Sequence, residues 1–477
     1  MAFDIEHIIL GDFPYEPTPD QRDLIGRLAL FLNTTRQTNV FLLKGYAGTG
    51  KTTIISSLVK YLDQAGSGSV LLAPTGRAAK VMASYTGSLA YTIHKKIYRL
   101  QEGQDGGTEV ALQTNKHKDT LFLVDEASMI GGAAEATTPG LFGGINLLDD
   151  LIQYVYSGRN CRMVLIGDTA QLPPVNAKST PALSPAYLEK TYHLEVFQYE
   201  LQEVVRQAQG SGILFNATRL REMLSVRRTG FPSFRTTGFG DFIVLQGDDV
   251  LDEINNAYMG NQLQEALVVC RSNKRAWLFN QNIRSRVLFM EDEISSGDLL
   301  MVVKNNYFWL PGESSAGFIA NGDIMEIKRI KRIEDLYGFR FADVEARLCD
   351  YPGEPALEVK VLLSTLSLPG PSLAPSDQKR LFDAIAEDYS DIPGRRKKLA
   401  AIRNDPYFNA LQVKFAYALT CHKAQGGQWE KVFIDMGFLP GGEPDTDYLR
   451  WLYTAVTRAT RQVFLLNFKE DFFEASE

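Results

Sequence analysis

Gly45-Tyr46-Ala47-Gly48-Thr49-Gly50-Lys51-Thr52 has the G-x-x-x-x-G-K-[ST] spacing of a phosphate-binding loop. Glycines at these positions let the backbone wrap closely and aim its N–H groups at phosphate oxygens, and the helix that follows adds partial positive charge. Lys51 is then expected to reach the β- and γ-phosphates and Thr52 to ligate Mg²⁺. A Gly-rich turn with no ligand is the plainer alternative. Against it, the apolar run Val40–Leu43 precedes the loop, and Ile54, Ile55, Leu58, Val59 and Leu62 follow it at helical spacing. The loop therefore predicts a bound nucleoside triphosphate.

Other residues could complete that chemistry. Leu121-Phe122-Leu123-Val124 runs into Asp125-Glu126. A carboxylate at the end of a buried strand is costly unless it meets a cation, so Asp125 is read as a Mg²⁺ ligand and Glu126 as the group that polarises the attacking water. Met163–Ile166 leads into Gly167-Asp168-Thr169-Ala170-Gln171. Gln171 can both donate and accept, which suits sensing a γ-phosphate or orienting water. Arg206 and Arg458 are candidates to stabilise charge on a transferring phosphoryl group from across a cleft.

These groups need elements to hold them. Short apolar runs recur at Val40–Leu43, Val70–Ala73, Leu121–Val124, Met163–Ile166, Leu194–Phe197, Leu267–Val269, Val432–Ile434 and Val463–Leu466, with helical patterns between them. That rhythm predicts an α/β protein with parallel sheets covered on both faces. The strands are too many for one comfortable sheet, so two α/β domains are expected, divided near 179–190 where Pro181 and Pro185 fall. Two segments break the rhythm. Residues 95–118 contain Asp105-Gly106 between apolar runs and predict an inserted hairpin. Residues 291–410 predict an inserted small β-barrel followed by a charged helical extension, 376–403, that includes Arg395-Arg396-Lys397-Lys398. The stretch from Gly131-Gly132 to Gly143-Gly144 reads as a mobile surface loop.

Composition narrows the class. The 477 residues carry a net charge of −7, which counts against a protein that coats duplex DNA, while leaving room for a local basic channel. No apolar run reaches membrane-span length, and the first residues lack the build of a secretory signal. The four cysteines lie far apart, which argues against a zinc site or disulfide framework and suits a reducing cytosol.

In order along the chain, Gly45–Thr52, Ala73-Pro74-Thr75-Gly76-Arg77-Ala78-Ala79, Thr92-Ile93-His94, Asp125–Ser128, Gly167–Val175, Val205-Arg206-Gln207, Ala418–Gly426 and Tyr453–Arg458 resemble the motifs of the superfamily 1 type B DNA helicases, RecD-like and Dda-like branch. The resemblance implies two RecA-like P-loop NTPase motor domains: residues 1–180, and 181–290 with 411–477. Between them sits an inserted SH3-like barrel, and 95–118 is the strand-separating hairpin, with Tyr98 as a candidate wedge. It implies ATP in the cleft, contacted by Gln21, by Gly45, Ala47, Gly48, Thr49, Gly50, Lys51, Thr52 and Thr53, and from the far side by Gln425 and Gly426. Arg206 and Arg458 match its arginine fingers. Its DNA path matches Pro74, Thr75 and His94, then Asn273, Thr420 and His422. Ala424 and Gly427 depart from the small hydroxyl residues usual there. The implied activity is ATP-driven, 5′-to-3′ translocation on single-stranded DNA with unwinding of duplex or forked DNA, by a monomer without membrane attachment. An RNA helicase, a stripping translocase that does not unwind, and a P-loop kinase are the rivals. The kinase would need an acceptor pocket and would lack the second-domain arginines.

Overall fold

The computed structural model describes residues 2–34, 38–102, 108–132, 146–175, 177, 179–203, 205, 210–259, 264–310, 314, 318–351, 353–370, 372–439 and 441–475. Of the loop expected from Gly131 to Gly144, residues 133–144 lie outside them, as do the hairpin tip at 103–107 and Arg206.

The first sheet runs in the order Ala90–Thr92, Gly68–Ala73, Thr120–Val124, Arg162–Gly167, Asn39–Gly45, Glu195–Leu201. Every pairing is parallel. Its central strands are buried on both faces: Val40 and Leu42 enter one core, Phe41 and Leu43 the other. Successive side chains of a strand point to opposite faces, so an unbroken apolar run is what such a strand requires. The second sheet, Ala418–Thr420, Ala266–Cys270, Trp429–Asp435, Ala459–Leu466, Phe242–Leu245, is also parallel throughout. The eight runs read as strands all lie in these two sheets. The short strands Ala90–Thr92 and Ala418–Thr420 gave too little apolar sequence to stand out.

The division near 180 needs correction. Glu195–Leu201 pairs with Asn39–Gly45 and belongs to the first sheet. Pro181 and Pro185 do not break a domain. Each opens a helical turn, at Pro181–Leu183 and Pro185–Tyr192, where a missing N–H costs nothing.

Leu299–Val302, Ile324–Leu336, Phe339–Leu348, Leu357–Leu362 and Leu411–Phe415 close a five-stranded barrel. Its last strand lies beyond the expected boundary at 410, because Leu300 pairs with Phe415 to shut the barrel. Barrel and second sheet share one core, from Val268 and Phe433 to Leu300 and Val344. At their junction Arg284 meets Asp298 through two hydrogen bonds of 2.8 and 2.9 Å, and the Tyr417 hydroxyl donates to the same carboxylate. The extension forms two helices, Pro375–Asp388 and Arg395–Arg403, seated by Leu381, Ile385 and Ile402 on barrel residues Phe339 and Phe341. Tyr98–Glu102 and Thr108–Leu112 pair antiparallel as the projecting hairpin. Among the described residues no helix is long and apolar enough to cross a membrane.

Candidate functional site

A cleft of about 540 Å³ opens where the two sheets face one another. Gln21, Ala47, Gly48, Gly50, Lys51, Thr52, Thr53, Asp125, Glu126 and Gln171 line it from the first half, and Gly426 and Arg458 from the second.

Local sequence builds the loop. Thr18 caps the Pro19–Asn33 helix in a capping box whose reciprocal partner is Gln21. That box fixes Gln21 so that its Nε2 donates to the Thr49 carbonyl at 3.0 Å. Gly50 has φ +83°, where a side chain is strained, and a Cβ there would lie 2.4 Å from Gln21 Nε2 and push Gln21 off the Thr49 carbonyl. Gly45 and buried Thr49 belong to the same turn, where the Thr49 hydroxyl donates to the Tyr46 carbonyl at 2.8 Å. Lys51 Nζ donates to the Gly45 and Tyr46 carbonyls, both at 2.8 Å, and is held at the mouth of the loop.

Asp125 accepts from the Tyr85 hydroxyl and from the Glu126 N–H, each at 2.8 Å. Burial, then the charge of Glu126, pushes its carboxyl up to about 6. Glu126 itself takes a left-handed backbone, φ 51°, a strain of about 1–3 kcal/mol of the kind found at functional sites. Gln171 is buried, and its Oε1 has no hydrogen-bond partner among the described residues, which fits an acceptor waiting for a water or ligand donor. Among the described residues no three His, Cys, Asp or Glu side chains gather into a metal cluster. One hydroxyl and one carboxylate, Thr52 and Asp125, fit Mg²⁺, which keeps several waters and takes its other oxygens from phosphate.

The second half closes on the first through specific bonds. Arg458, 4% exposed, donates to the Thr454 and Gly427 carbonyls and brings Nη1 to 3.6 Å from Glu126 Oε1. The Tyr453 hydroxyl donates to Asp168 and accepts from the Ala47 N–H. The Leu172 N–H donates to the Thr454 hydroxyl, and Arg450 donates to the Thr169 and Gln171 carbonyls. Gln425 does not line the cleft. It is buried and donates to the Leu172 carbonyl, so it holds the Gln171 loop in place. Arg77 stacks on Trp429 at 4.0 Å, and a Cβ at Gly427 would fall 2.5 Å from the same indole. The stack explains why a small hydroxyl residue is missing there.

The expected nucleic-acid residues are only partly gathered. Asn273 and Thr420 line one depression with Trp277, Lys414 and Lys423. Burial lowers both lysines to about 8. His422 stands next to Lys423 on the Cys421–Ala424 turn, lowered by burial. In the first half, Pro74 leads into Thr75, which caps the Gly76–Thr86 helix by accepting from the Ala78 N–H. His94 packs near the rings of Tyr98 and of Phe318 from the barrel, and burial lowers it to about 4, so it is neutral at pH 7. Tyr98 is buried, and its hydroxyl donates to Asp150 at 2.7 Å. It anchors the base of the hairpin and is removed as the wedge.

Sequence reasoning missed several contributors. Phe13 and Tyr15 line the cleft with Gln21, Tyr85 holds Asp125, and Arg221 stacks on Tyr46 of the loop at 4.7 Å. None belongs to a motif. Lys423 could have been found as the cation beside His422.

Residues 18–223 match the family model of an AAA domain, and residues 415–466 that of a UvrD-like helicase C-terminal domain. The ATP-dependent RecD2 DNA helicase of Deinococcus radiodurans is 31% identical over 198 residues, 42% of this chain and 24% of that protein. The chain thus aligns with about a quarter of that relative's length. The ATP-dependent DNA helicase dda of Enterobacteria phage T4 is 24% identical over 467 residues, 88% of this chain and 93% of that one. A solved structure of Pif1 helicases at forked duplex DNA covers 96% of this chain and 94% of its own, at 15% identity and a TM-score of 0.48. With the ordered motifs seated around one cleft and both halves of the chain matched by sequence, the chain is similar to the superfamily 1 type B helicases, of the RecD-like and Dda-like kind.

Proposed function

We propose that this chain is an ATP-driven DNA helicase that moves 5′-to-3′ along single-stranded DNA and parts the duplex ahead of it. One observation carries the reading. Lys51, which opens a helix, and Glu126, just past a strand end, belong to the first half; Arg458, in the turn before Ala459–Leu466, belongs to the second and reaches to 3.6 Å from Glu126, so hydrolysis depends on how the two halves sit.

Thr52 and Asp125 would hold Mg²⁺, which would supply positive charge to the phosphates when bound. Lys51 and the loop N–H groups fix the phosphates. Glu126 and Gln171 orient a water and Glu126 takes its proton as the water oxygen bonds to the γ-phosphorus. The bridging P–O bond then breaks and ADP is released. Arg458 stabilises the charge that spreads over the transferring group, joined by Arg206 as the family's second finger. Hydrolysis removes what Arg458 grips, and the cleft opens. Only a different affinity of the open and closed states for DNA can convert this into steps. Pro74, Thr75 and neutral His94 form one grip, Asn273, Thr420 and His422 the other. Hydroxyl and imidazole groups hold phosphate and ring without reading sequence. The barrel acts as the family's SH3-like domain, and the hairpin, through residues at its tip, parts the strands. The helical extension braces the hairpin from the barrel.

The test is strand separation on 5′-tailed, 3′-tailed and forked substrates, with DNA or RNA as the tracking strand. Unwinding confined to 5′-tailed and forked DNA is expected. ATPase stimulated equally by RNA, or by DNA without any strand separation, would overturn the reading.

A further inference from the structure

A cavity of about 720 Å³ lies outside both the nucleotide cleft and the Asn273–Thr420 depression and shares no lining residue with either. Its walls come from the barrel segment 304–308, the Pro375–Asp388 helix, the segment 403–412 and Val110 of the hairpin. Three exposed cations, Lys304, Lys379 and Arg403, line it. Among the described residues none of the three pairs with a carboxylate, and no Asp or Glu lines the cavity. In a chain with net charge −7, so one-sided a lining calls for an anion.

The apolar part of the wall has a specific form. Phe308 and Phe408 keep 37% and 38% of their surface exposed. Aromatic faces beside cations are the means by which proteins hold single-stranded nucleic acid: rings take bases and cations take phosphates. The neighbouring helix adds to this. Arg395–Arg403 carries four cations in its first turn, where the helix dipole repels them, and its N-cap Gly394 offers no side-chain oxygen. An anion passing there relieves that repulsion. The same helix ends in Arg403, on the cavity wall.

We infer that this cavity is a second nucleic-acid site, which takes the single DNA strand displaced at the fork. The inference rests on the helicase reading above. Val110 belongs to the hairpin, so a strand parted there meets this wall, while the tracking strand is claimed by Asn273 and Thr420 in a separate depression. The site would retain the displaced strand and oppose re-annealing behind the hairpin.

The experiment compares the full chain with a Lys304→Gln, Arg403→Gln double variant on two DNAs: a fork with both arms, and a 5′-tailed duplex lacking the displaced arm. The unaltered chain is expected to favour the fork by about tenfold, from added stacking and phosphate contacts. The variant should lose that preference, and its log–log salt slope on the fork should shrink by about 1.4, two single-strand phosphate contacts. ATPase stimulated by single-stranded DNA should stay unchanged. A second measurement does not depend on the variant's folding: Phe408→p-benzoylphenylalanine in the otherwise unaltered chain should label the displaced arm. A variant that keeps the fork preference, or a label found on the tracking strand or on neither strand, overturns the site. An unaltered chain with no DNA-stimulated ATPase overturns the helicase reading, and this site with it.

Discussion

The Tyr453 hydroxyl donates a 2.6 Å hydrogen bond to the Asp168 carboxylate across 285 positions of sequence and at the same time accepts from the Ala47 N–H at 3.0 Å. One fully buried side chain from the second motor half thus touches the phosphate-binding loop and the strand end that leads to Gln171. Burial raises both Tyr453 and Asp168, so the hydroxyl stays protonated and remains the donor. Tyr453→Phe keeps the ring and deletes the clasp. Losing a hydrogen bond to a charged group is worth about 1.5–3 kcal/mol, so ATP turnover should fall by roughly 10- to 100-fold. Affinity for single-stranded DNA without nucleotide should hardly change. Steady-state ATPase with DNA-binding isotherms checks both; unchanged turnover would reduce Tyr453 to a packing residue.

Arg458→Ala should leave nucleotide binding measurable and lower hydrolysis by about a thousandfold or more, the scale of a lost arginine finger. Lys51→Ala should abolish hydrolysis while DNA binding persists. Equilibrium binding of a fluorescent nucleotide beside single-turnover hydrolysis separates the two steps. Near-normal turnover in Arg458→Ala would remove that residue from the chemistry.

Asp125 provides a pH test. Its folded-state value is raised from 3.8 to about 6, first by burial and then by Glu126. A raised acid is protonated more readily in the folded protein, and neutral Asp125 is a poor Mg²⁺ ligand. At limiting Mg²⁺, ATPase should therefore fall as pH drops through about 6, by roughly tenfold per unit below it. Saturating Mg²⁺ should move the fall to lower pH. Stability runs the other way: the folded state binds the proton more tightly, so this group adds stability to the metal-free protein as pH falls from about 6 toward 4. Thermal unfolding against pH, repeated with Asp125→Asn, reads that sign. The contribution should vanish in the variant.

Gly427→Ser places the hydroxyl usual in relatives at a position where Cβ would lie 2.5 Å from the Trp429 ring and 2.8 Å from Arg77 Cδ. Overpacking of this kind costs about 1–3 kcal/mol. The expected outcome is a less stable protein with weaker coupling between the two halves, seen as a lowered melting temperature and lowered DNA-stimulated ATPase. A gain in either would mean that the Arg77–Trp429 stack is dispensable.

Much of the architecture was legible in the sequence, and much of the site was not. Parallel strands buried on both faces write themselves as short unbroken apolar runs, so all eight runs read as strands lie in the two sheets. The phosphate loop was equally plain, because its wrap needs particular glycines within eight residues. Domain edges were harder. Glu195–Leu201 joins the first sheet through backbone pairing with Asn39–Gly45, and Leu411–Phe415 closes the barrel, neither of which leaves a local mark.

Sequence alone determined which residue types could handle a triphosphate, because the loop and the strand-end carboxylates are local geometries set by neighbours in the chain. Tertiary structure alone decided their partners. It turned Gln425 from the cleft to the Leu172 carbonyl, buried Tyr98 against Asp150, set His94 beside Phe318, and brought Arg458 to Glu126 and Tyr453 to Asp168. The physical reason is that a buried polar side chain must find a hydrogen-bond partner, and which partner lies within reach depends on how the two sheets and the barrel pack, not on spacing along the chain.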